Sequence, residues 1–480
     1  MVGHRVLVAA MIVATATTQA QPNVVLILAD DLGYGDIGAN GGETIATPHI
    51  DALATRGVRL TQGYVSHPVC SPSRAGLMTG RYQQRHGWEF NPAGRDRTAG
   101  MSKGEQTIAD AMRSAGYHTG LVGKWHLGSQ PQYHPINRGF DEFFGFVGGG
   151  SIFVGPSVPG VESWGGVRDG PNTMGRGLDE EVVVTEYLTD RFTAEAVDFI
   201  ERRSGAPFFL FLSHKTPHTP LQATARYLDR YRHIDHDATR IYAAMVASLD
   251  DSVGAVVGAL ERQRIREQTL IVFLSDNGCA EYVADACSNA PLRGHKRYFH
   301  EGGVRVPFIV SWPDRLPEGT VFEHPASSLD LMDTFLGAAG HSEVGDDSVN
   351  LVPYLDGTDG GAPHDYLFWR AEPNWAVRDE RWKLIHYNRS DLRKQDHPGR
   401  LDPPEEGWPN DSPSGQITLL YDLRNDPSET VNYAAGRPDV VGRLTEAWVR
   451  WNAGNAAEPI LPAFRSILAE FHGETVQLLF

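Results

Sequence analysis

Carboxylate and amide side chains follow two apolar runs that lie far apart in the chain. Asp30 and Asp31 come directly after the first run, and Asp276 and Asn277 come just after the second. Because all of them offer oxygen ligands, they favour a hard cation such as calcium or magnesium. Each pair alone could instead cap a helix or form a turn, as in Asn277-Gly278. Their matching positions after two predicted strands favour a metal site.

Basic and imidazole side chains follow two further apolar runs. Lys124 and His126 come after one of them, and His214 and His218 come after the other. The spacing of His214 and His218 matches that of zinc ligands on a helix. The prolines within and after this segment make a helix improbable, so we interpret it as an active-site loop and not as a zinc site. For His214, a surface histidine beside prolines is the alternative interpretation.

The apolar runs themselves predict a buried, largely parallel sheet. Continuous apolar, β-branched sequence is typical of strands covered on both faces, and it occurs at 23–29, 120–122, 208–212, 270–274 and 306–310. Between these runs, apolar residues at helical spacing predict helices at 106–115, 188–202 and 242–262. The alternation predicts an α/β fold with a large doubly wound, parallel or mixed sheet flanked by helices. Because ligands bind beyond the carboxyl ends of such strands, the polar residues described above are expected to meet at one sheet edge.

The chain length and a change in texture predict a second, smaller unit. A single core stops growing near ~250–300 residues, and this chain has 480. After about Pro353, short aromatic strand patterns and an amphipathic helical pattern predict a C-terminal α+β subdomain with a short antiparallel sheet. We assign the main α/β domain to 21–360 and the subdomain to 361–480. Two segments without periodicity are interpreted as long functional surface loops, 148–177 and 388–415.

Composition and charge exclude several classes of protein. Hydrophobic residues make up 41% of the chain and charged residues 21%. These values are typical of a globular protein and exclude disorder, collagen and coiled coil as the main architecture. The net charge of −17 argues against nucleic acid and anionic membranes as partners. It also argues against an anionic substrate, unless the site itself carries local positive charge.

The N-terminus and the cysteines indicate export. Residues 1–20 combine a short basic start, an apolar stretch and small residues, a pattern that predicts a signal peptide cleaved after Ala20. The apolar stretch is too short for a stable membrane anchor, which needs ~20 residues. The alternative is a buried N-terminal helix, which the proline that follows makes less favourable. Of the three cysteines, Cys279 and Cys287 could pair in an oxidising compartment, which leaves Cys70.

A resemblance to a known family explains the remaining cysteine. The sequence Cys70-Ser-Pro-Ser-Arg74, followed by Leu77-Met-Thr-Gly-Arg81, resembles the signature of the type I sulfatases of the alkaline-phosphatase-like superfamily. Further segments match the family's pattern in the same order, namely Asp30-Asp31, Gly123-Lys-Trp-His-Leu-Gly128, Pro217-His-Thr-Pro220, Ser275-Asp-Asn-Gly278, Lys296 with Glu301-Gly-Gly303, and Leu420-Tyr-Asp-Leu423 with Asp426-Pro-Ser-Glu429. The resemblance covers nearly the whole chain and implies the family's fold.

The resemblance also implies two cofactors. In the family, the signature cysteine is oxidised to formylglycine (3-oxoalanine) during export. Cys70 is therefore expected to be the substrate of a formylglycine-generating or anaerobic sulfatase-maturing enzyme, with a buried inert thiol as the alternative. The resemblance further implies a calcium ion, in preference to magnesium, held by the residue-70 oxygen together with Asp30, Asp31, Asp276 and Asn277.

By the same resemblance, residue 70 and its neighbours carry out the reaction. The hydrated aldehyde at residue 70 offers two hydroxyls on one carbon. One of them attacks sulfur, and the other then loses its proton so that sulfate is expelled and the aldehyde returns. Arg74 and Lys124 stabilise the formylglycine and its surroundings. His126 is the candidate base for the elimination of sulfate.

The resemblance assigns substrate contacts to further residues. His218 is the candidate acid toward the leaving oxygen, and Lys296 contacts the sulfate, as Lys124 also does. The sequence departs from the family's pattern after Gly145, where some members carry a polar residue that reaches the site. Ser151 is the candidate for that contact.

Together these features predict an exported, calcium-dependent sulfatase that hydrolyses sulfate esters. The segment 131–135 resembles that of family members acting on sulfated amino sugars and galactosides, so a sulfated carbohydrate is the favoured substrate, with aryl sulfates also expected. Arg74, Lys124, Lys296 and a divalent cation would form a local positive well in an acidic protein. Two alternatives stay open: a phosphatase or phosphonate monoester hydrolase on the same fold, and a non-catalytic carbohydrate-binding pseudo-sulfatase.

Overall fold

The computed structural model describes the chain from residue 21 onward, with internal gaps. It covers residues 21–92, 98–155, 158–166, 172–283, 285–342, 345–388, 416–461, 466–471 and 474–479. The predicted signal peptide at 1–20 and nearly all of the predicted loop at 388–415 lie outside the described residues. Both therefore stay predictions.

Strands and helices alternate along most of the described chain, as the sequence pattern predicts. The strands are β1 (Asn23–Asp30), β2 (Val58–Leu60), β3 (Gly63–Tyr64), β4 (His118–Lys124), β5 (Glu142–Phe146), β6 (Val161–Trp164), β7 (Asn172–Arg176), β8 (Glu180–Val184), β9 (Phe208–Pro217), β10 (Leu221–Thr224), β11 (Thr269–Ser275), β12 (Phe308–Ser311), β13 (Thr320–Phe322), β14 (Ala326–Ser327), β15 (Leu367–Ala371), β16 (Asn374–Arg378), β17 (Trp382–Asn388), β18 (Gln416–Asp422), β19 (Ser466–Phe471) and β20 (Glu474–Leu479). The α-helices are α1 (Pro48–Thr55), α2 (Cys70–Thr79), α3 (Ile108–Ser114), α4 (Leu188–Arg203), α5 (Ala225–Leu228), α6 (Asp237–Arg262), α7 (Glu301–Val304), α8 (Leu331–Ala338), α9 (Val352–Leu355) and α10 (Pro438–Asn452).

Ten strands form one mixed sheet whose centre is parallel. Their order across the sheet is β13-β2-β12-β11-β1-β9-β4-β5-β7-β8. Strands β11, β1, β9, β4 and β5 run parallel, while β12 and β7 pair antiparallel on either side. The predicted doubly wound, mixed α/β sheet is therefore confirmed. Because the central strands run in the same direction, their carboxyl ends lie along one edge.

Both faces of the central sheet are covered, which explains the continuous apolar runs. Val25 and Ile27 of β1 belong to the core that includes α4 and α6 on one face, whereas Val24 and Leu26 belong to the core with α3 and α8 on the other. Every residue of β1 is buried, because strand side chains alternate between two faces that both carry helices. Burial of each such side chain contributes roughly 1.5–3 kcal/mol. This packing fixes the strand ends and the polar residues that follow them.

The segment 148–177 differs from its prediction as an irregular loop. Within it, β6 pairs antiparallel with β10, and β7 pairs antiparallel with β5 and β8 in the main sheet. These strands are mostly half-buried, so backbone hydrogen bonds define them more than side-chain burial does. Apolar periodicity is therefore weak in both strands. The prediction of a loop is wrong for these strands.

The C-terminal part of the chain forms a separate four-stranded antiparallel sheet, β15-β16-β17-β18. Helix α10 covers one face, where Leu444 packs in a cluster with Leu384. The other face contributes Trp369 and Ile385 to a core shared with Tyr64 of the main domain. The predicted α+β character and short antiparallel sheet are confirmed. The predicted boundary between residues 360 and 361 stays a prediction.

Helix α6 is the central helix on one face of the main sheet. By length and composition alone it could cross a membrane, but 72% of its most apolar stretch is buried inside the protein. Its buried side chains include Ile241, Met245 and Leu249, which belong to the same core as α4 and β1. This burial is typical of the core helix of a globular domain.

Candidate active site

The alignment of β1 with β11 brings two carboxylate-bearing segments together. Ala29 is paired with Ser275, so Asp30 and Asp276 follow at neighbouring positions on the sheet edge. The backbone N–H of Asp31 donates to Oδ1 of Asp276 at 3.1 Å. Asp31 itself has a φ of +66°, a left-handed conformation that is uncommon for residues other than glycine. The parallel register therefore joins acidic groups that lie far apart in the sequence.

Cys70 is the first residue of α2 and is 2% exposed. Nζ of Lys296 lies 2.9 Å from its Sγ atom, and Oδ1 of Asp31 lies 3.9 Å from it. The N-terminus of a helix favours negative charge because its backbone N–H groups are unpaired there. Cys279 and Cys287 form a disulfide, so the pairing left open by the sequence is present and Cys70 is the free cysteine.

Besides the long contact with the Cys70 thiol, Asp31 accepts hydrogen bonds from three side chains that donate through nitrogen or oxygen. Nδ2 of Asn277 donates to its Oδ1 at 2.6 Å, and Nζ of Lys296 reaches both carboxylate oxygens, at 2.6 and 2.8 Å. The hydroxyl of Tyr282 donates to Oδ2 at 3.0 Å. Nε2 of His218 lies 3.6 Å from that same oxygen. Asp31 is therefore the shared contact of side chains from several distant segments.

A second group of ion pairs surrounds Asp30, which is fully buried. Nζ of Lys124 donates to its Oδ2 at 2.7 Å. Nε of Arg74 donates to Oδ2 of Asp276 at 2.8 Å, and Nη2 of Arg74 lies 3.7 Å from Oδ1 of Asp30. The hydroxyl oxygen of Ser213 accepts from Nη1 of Arg74 at 2.7 Å. Arg74 and Lys124 are thus held rigidly against two buried acidic groups.

The buried oxygen atoms of this cluster fit a hard cation. Oδ1 of Asp30 and Oδ1 of Asn277 are buried without a hydrogen-bond partner in the described part of the chain. One ligand atom from each of Asp30, Asp31, Cys70 and His218 lies within 4.8 Å of the others. The carboxylate oxygens of Asp30 and Asp31 and the amide oxygen of Asn277 are the hard donors that calcium and magnesium prefer. The residues predicted to hold the cation therefore come together, and calcium binding itself stays a prediction.

Burial and neighbouring charges set the protonation of the acidic groups in opposite directions. Burial opposes the ionisation of Asp30, but Lys124 and the other nearby cations hold its pKa well below the usual range. Burial, together with the charge on Asp30, raises the pKa of Asp276 to about 7 despite the adjacent Arg74. Burial raises the pKa of the Cys70 thiol to about 11. An unmodified Cys70 is therefore protonated at neutral pH.

Both histidines predicted to transfer protons are held in the neutral form. Burial lowers the pKa of His218 to about 4. Burial and the nearby charge of Lys124 also lower the pKa of His126 well below its ordinary value. A Cβ atom added at Gly149 would lie 2.5 Å from Nε2 of His126, so the glycine-rich segment after β5 lies directly against this imidazole. A neutral imidazole is able to accept a proton, as the predicted role of His126 as a base requires.

Two candidates from the sequence have partners outside the ion-pair cluster. Ser151 donates its hydroxyl to Oδ1 of Asn172 at 2.8 Å, at the start of β7, and its contact with sulfate stays a prediction. His214 is fully buried within β9, and its Nε2 lies 2.9 Å from the hydroxyl oxygen of Ser252 on α6. Both interpretations of His214, as a loop residue and as a surface residue, are wrong. The reason is that β9 extends through Pro217 and turns this side chain toward the core.

Two side chains near the cluster were not identified from the sequence. Tyr282 reaches Asp31 from a loop without periodicity, and a lone tyrosine in a loop gives no signal. Lys215 on β9 is buried, and its Nζ donates to the carbonyl oxygens of His218 and Thr219 at 3.2 and 2.7 Å. Burial lowers the pKa of Lys215 to about 7. A lysine three residues after the apolar run at 208–212 is the signal that could have identified it.

The sequence matches known proteins over most of its length. A family model described as Sulfatase matches residues 22–341, and one described as N-sulphoglucosamine sulphohydrolase, C-terminal, matches residues 294–405. The N-acetylgalactosamine-6-sulfatase of Canis lupus familiaris is 35% identical over 360 residues, which cover 70% of this chain and 66% of that protein. An arylsulfatase of Hemicentrotus pulcherrimus is 34% identical over 460 residues, which cover 88% of this chain and 79% of that protein.

Solved structures share the fold over a still larger part of the chain. The crystal structure of Ps i-CgsB in complex with k-i-k-neocarrahexaose is 33% identical, with a TM-score of 0.77, and covers 91% of this chain and 94% of that one. The PsFucS1 sulfatase from Pseudoalteromonas sp. is 24% identical, with a TM-score of 0.73, and covers 90% of both chains. The chain spans about two thirds of the length of the N-acetylgalactosamine-6-sulfatases that it matches.

Proposed function

This chain belongs to the sulfatase family, and we propose that it hydrolyses the sulfate esters of a sulfated carbohydrate. The observation that carries the proposal is the pair of contacts that Cys70 makes with Lys296 and Asp31 at the N-terminus of α2. Transfer of a sulfate group needs a nucleophile, cations over the sulfate oxygens and an acid for the leaving oxygen. Side chains suited to each of these needs lie within this one cluster.

We propose that Cys70 acts only after conversion to formylglycine by a formylglycine-generating or anaerobic sulfatase-maturing enzyme. A buried thiol with a pKa of about 11 is protonated at neutral pH and is therefore a poor nucleophile. The hydrated aldehyde supplies two hydroxyls on one carbon. Because Cys70 is 2% exposed in the folded chain, a maturing enzyme would have to act before folding is complete, in agreement with modification during export.

We propose calcium as the bound metal. The ligands would be Asp30, Asp31, Asp276 and Asn277 together with the oxygen of residue 70. When bound, calcium supplies positive charge next to the sulfate and lowers the pKa of a hydroxyl group that it contacts. The unpartnered, buried oxygens of Asp30 and Asn277 support this proposal. Magnesium is less favoured because it keeps several water ligands, whereas this site is buried and rich in protein oxygens.

The local charge of the site is suited to an anionic substrate. Within the cluster, Arg74, Lys124 and Lys296 face three acidic groups, so a divalent cation would leave the site positive in a protein of net charge −17. Lys124 and Lys296 are proposed to contact the sulfate. His126, neutral and buried, is proposed to accept a proton. His218 is proposed to donate a proton to the leaving oxygen. The negative charge of the bound substrate is proposed to raise the pKa of His218 so that it carries this proton.

Export is proposed from two independent features. Residues 1–20 have the pattern of a signal peptide, and Cys279 and Cys287 form a disulfide of the kind found in oxidising compartments. Expression of the full chain with its N-terminus intact, followed by N-terminal sequencing of the exported protein, tests this proposal. A mature protein that begins at Gln21 is expected. A chain that stays in the cytoplasm and keeps its first 20 residues would contradict the proposal of export.

The carbohydrate substrate is proposed from the relatives and from the segment 131–135. One relative is named N-acetylgalactosamine-6-sulfatase, and another was crystallised with k-i-k-neocarrahexaose. The decisive experiment compares release of sulfate and phosphate from matched aryl esters, and then release of sulfate from a panel of sulfated oligosaccharides, with Cys70→Ala as the inactive control. Faster release of sulfate is expected. Faster release of phosphate would favour the phosphatase alternative, and binding of carbohydrate without release would favour a pseudo-sulfatase.

A further inference from the structure

A disulfide-closed loop begins two residues after Asn277 and borders the candidate site. Cys279 and Cys287 are bonded across a sequence separation of eight residues. The carbonyl oxygen of Cys279 accepts from the backbone N–H of Lys296 at 2.9 Å. Within the loop, a short 3-10 helix spans Glu281–Val283. The loop is therefore anchored both to the end of β11 and to the segment that carries Lys296.

Tyr282, on this loop, directs its hydroxyl into the ion-pair cluster. The hydroxyl donates to Oδ2 of Asp31 at 3.0 Å, and Nζ of Lys296 lies 3.5 Å from the hydroxyl oxygen. The phenol ring and the imidazole of His218 are in an edge contact, with their centroids 6.4 Å apart. One aromatic side chain thus contacts three residues of the candidate site.

Arg297, the residue after Lys296, restrains the Tyr282 ring. Its guanidinium lies 5.0 Å from the ring centroid, within the range of a cation–π contact. Arg297 also forms an ion pair with Glu281, the residue before Tyr282. The φ of Arg297 is +81°, a left-handed conformation that is unfavourable for a residue with a side chain. The contacts of Arg297 with Glu281 and the Tyr282 ring therefore accompany a backbone conformation that Arg297 would not adopt by preference.

We propose that the Cys279–Cys287 loop holds Tyr282 as a positioning residue for the metal ligand Asp31. This inference rests on the calcium site of the proposed function. A carboxylate that binds a metal must keep one orientation, and hydrogen bonds from residues behind it supply that restraint. The Tyr282 hydroxyl is a neutral donor, so it orients Asp31 without the electrostatic competition that the Lys296 ammonium offers to a cation. The disulfide reduces the number of loop conformations in which the hydroxyl leaves Asp31.

The variant Tyr282→Phe removes only the hydroxyl and tests the contact. We expect the dissociation constant for calcium, measured by calorimetry on the metal-free full chain, to rise about tenfold. The matched control is Tyr117→Phe, which removes a buried hydroxyl that donates to the carbonyl oxygen of Pro22 at 2.8 Å. Tyr117 precedes β4 and lies at the opposite end of that strand from Lys124. Loss of the Tyr117 hydroxyl should therefore leave the calcium affinity unchanged.

Opening the disulfide tests the contribution of the loop. The double variant Cys279→Ser/Cys287→Ser should also weaken calcium binding. The loss should be much smaller when Tyr282→Phe is already present, because both changes then act on the same contact. If the double variant fails to fold, mild reduction of the folded wild-type protein allows the same measurement, since Cys287 is only partly buried.

The outcomes separate this inference from the proposed function. A wild-type protein that binds calcium, with unchanged affinity in Tyr282→Phe, would overturn the inference and leave the proposed function intact. A wild-type protein that binds no calcium would overturn both. Fully additive losses from the disulfide and the hydroxyl would overturn the assignment of the loop, because the disulfide would then act on the site by another route.

Discussion

The ammonium of Lys296 lies 2.9 Å from Sγ of Cys70 and contacts both carboxylate oxygens of Asp31, at 2.6 and 2.8 Å. One cation therefore connects the proposed nucleophile position to the carboxylate at the centre of the metal cluster. Burial disfavours a charged lysine, but the adjacent Asp31 holds the pKa of Lys296 well above its ordinary value. The positive charge of Lys296 is therefore retained at neutral pH.

Replacing this cation tests its contribution to the reaction. In Lys296→Met the side chain keeps a similar length but loses its charge, so stabilisation of the charge that develops on sulfate is lost. We expect kcat/KM for an aryl sulfate to fall about 10²–10³-fold, with the fold intact by circular dichroism. The exposed Lys103 gives the control Lys103→Met, which should leave kcat/KM unchanged. Near-wild-type activity of Lys296→Met would remove this residue from the proposed mechanism.

A serine at position 70 tests the need for two hydroxyls on one carbon. Cys70→Ser offers a single hydroxyl, which could accept sulfate once but has no second hydroxyl to expel it. We expect no more product than one equivalent of enzyme, measured by comparing product formed with enzyme concentration. Cys70→Ala should form none, while its thermal stability stays close to that of the wild type. Repeated turnover by Cys70→Ser would contradict the formylglycine proposal.

The proposed base is tested with a pair of buried histidines. In His126→Ala the proton needed for the elimination of sulfate is no longer accepted, so sulfate should remain on residue 70. We expect an increase in the mass of the intact protein after substrate is added, together with loss of turnover. His214→Ala is the matched control, because His214 is also buried but contacts Ser252 on α6. His214→Ala should keep its turnover and lose only some stability. Full turnover by His126→Ala would exclude His126 as the base.

A buried glutamate in contact with both α7 and β17 predicts a pH dependence of stability. Glu429 Oε2 accepts from the backbone N–H of Glu301 at 2.7 Å, and its Oε1 lies 3.4 Å from Nζ of Lys383. Burial raises the pKa of Glu429 from 4.5 to about 8, although Lys383 opposes the shift and the carboxylate of Glu301 adds to it. The folded protein therefore keeps a proton that the unfolded chain releases. The stability from this group is present below about pH 4.5 and is lost as pH rises through about 8.

Glu429→Gln should remove this part of the pH dependence. The measurement is the free energy of unfolding in urea at pH 5 and at pH 8. Between these two pH values, the free energy of unfolding of the wild type should decrease by on the order of a few kcal/mol more than that of the variant. At pH 5 the two proteins should be similarly stable, because a neutral amide resembles a protonated carboxyl. The exposed Glu446 on α10 provides the control Glu446→Gln, which should follow the wild type. Equal pH dependence of wild type and Glu429→Gln would contradict the assignment.

Much of the site follows from local sequence because parallel strands align their carboxyl ends. The apolar runs of β1 and β11 are readable without a structure, and so are the polar residues that end them. Once the strands are neighbours, Asp30 and Asp276 must lie at the same edge of the sheet. The cysteine motif at 70–81 is equally local, since its residues 70–79 form a single buried helix. These parts of the prediction depend on patterns a few residues long.

Other parts of the site depend on contacts that no local pattern encodes. Lys296 and Tyr282 come from the long connection between β11 and β12, where position is set by a disulfide and by packing against distant segments. His214 and His218 are four residues apart, yet one lies against α6 and the other beside Asp31.

The sequence alone therefore determines the α/β architecture and the identity of the reactive groups, since burial patterns and motifs are properties of neighbouring residues. The tertiary structure decides which of those groups meet, because the length of β9 and the path of the connecting loops are set by long-range packing.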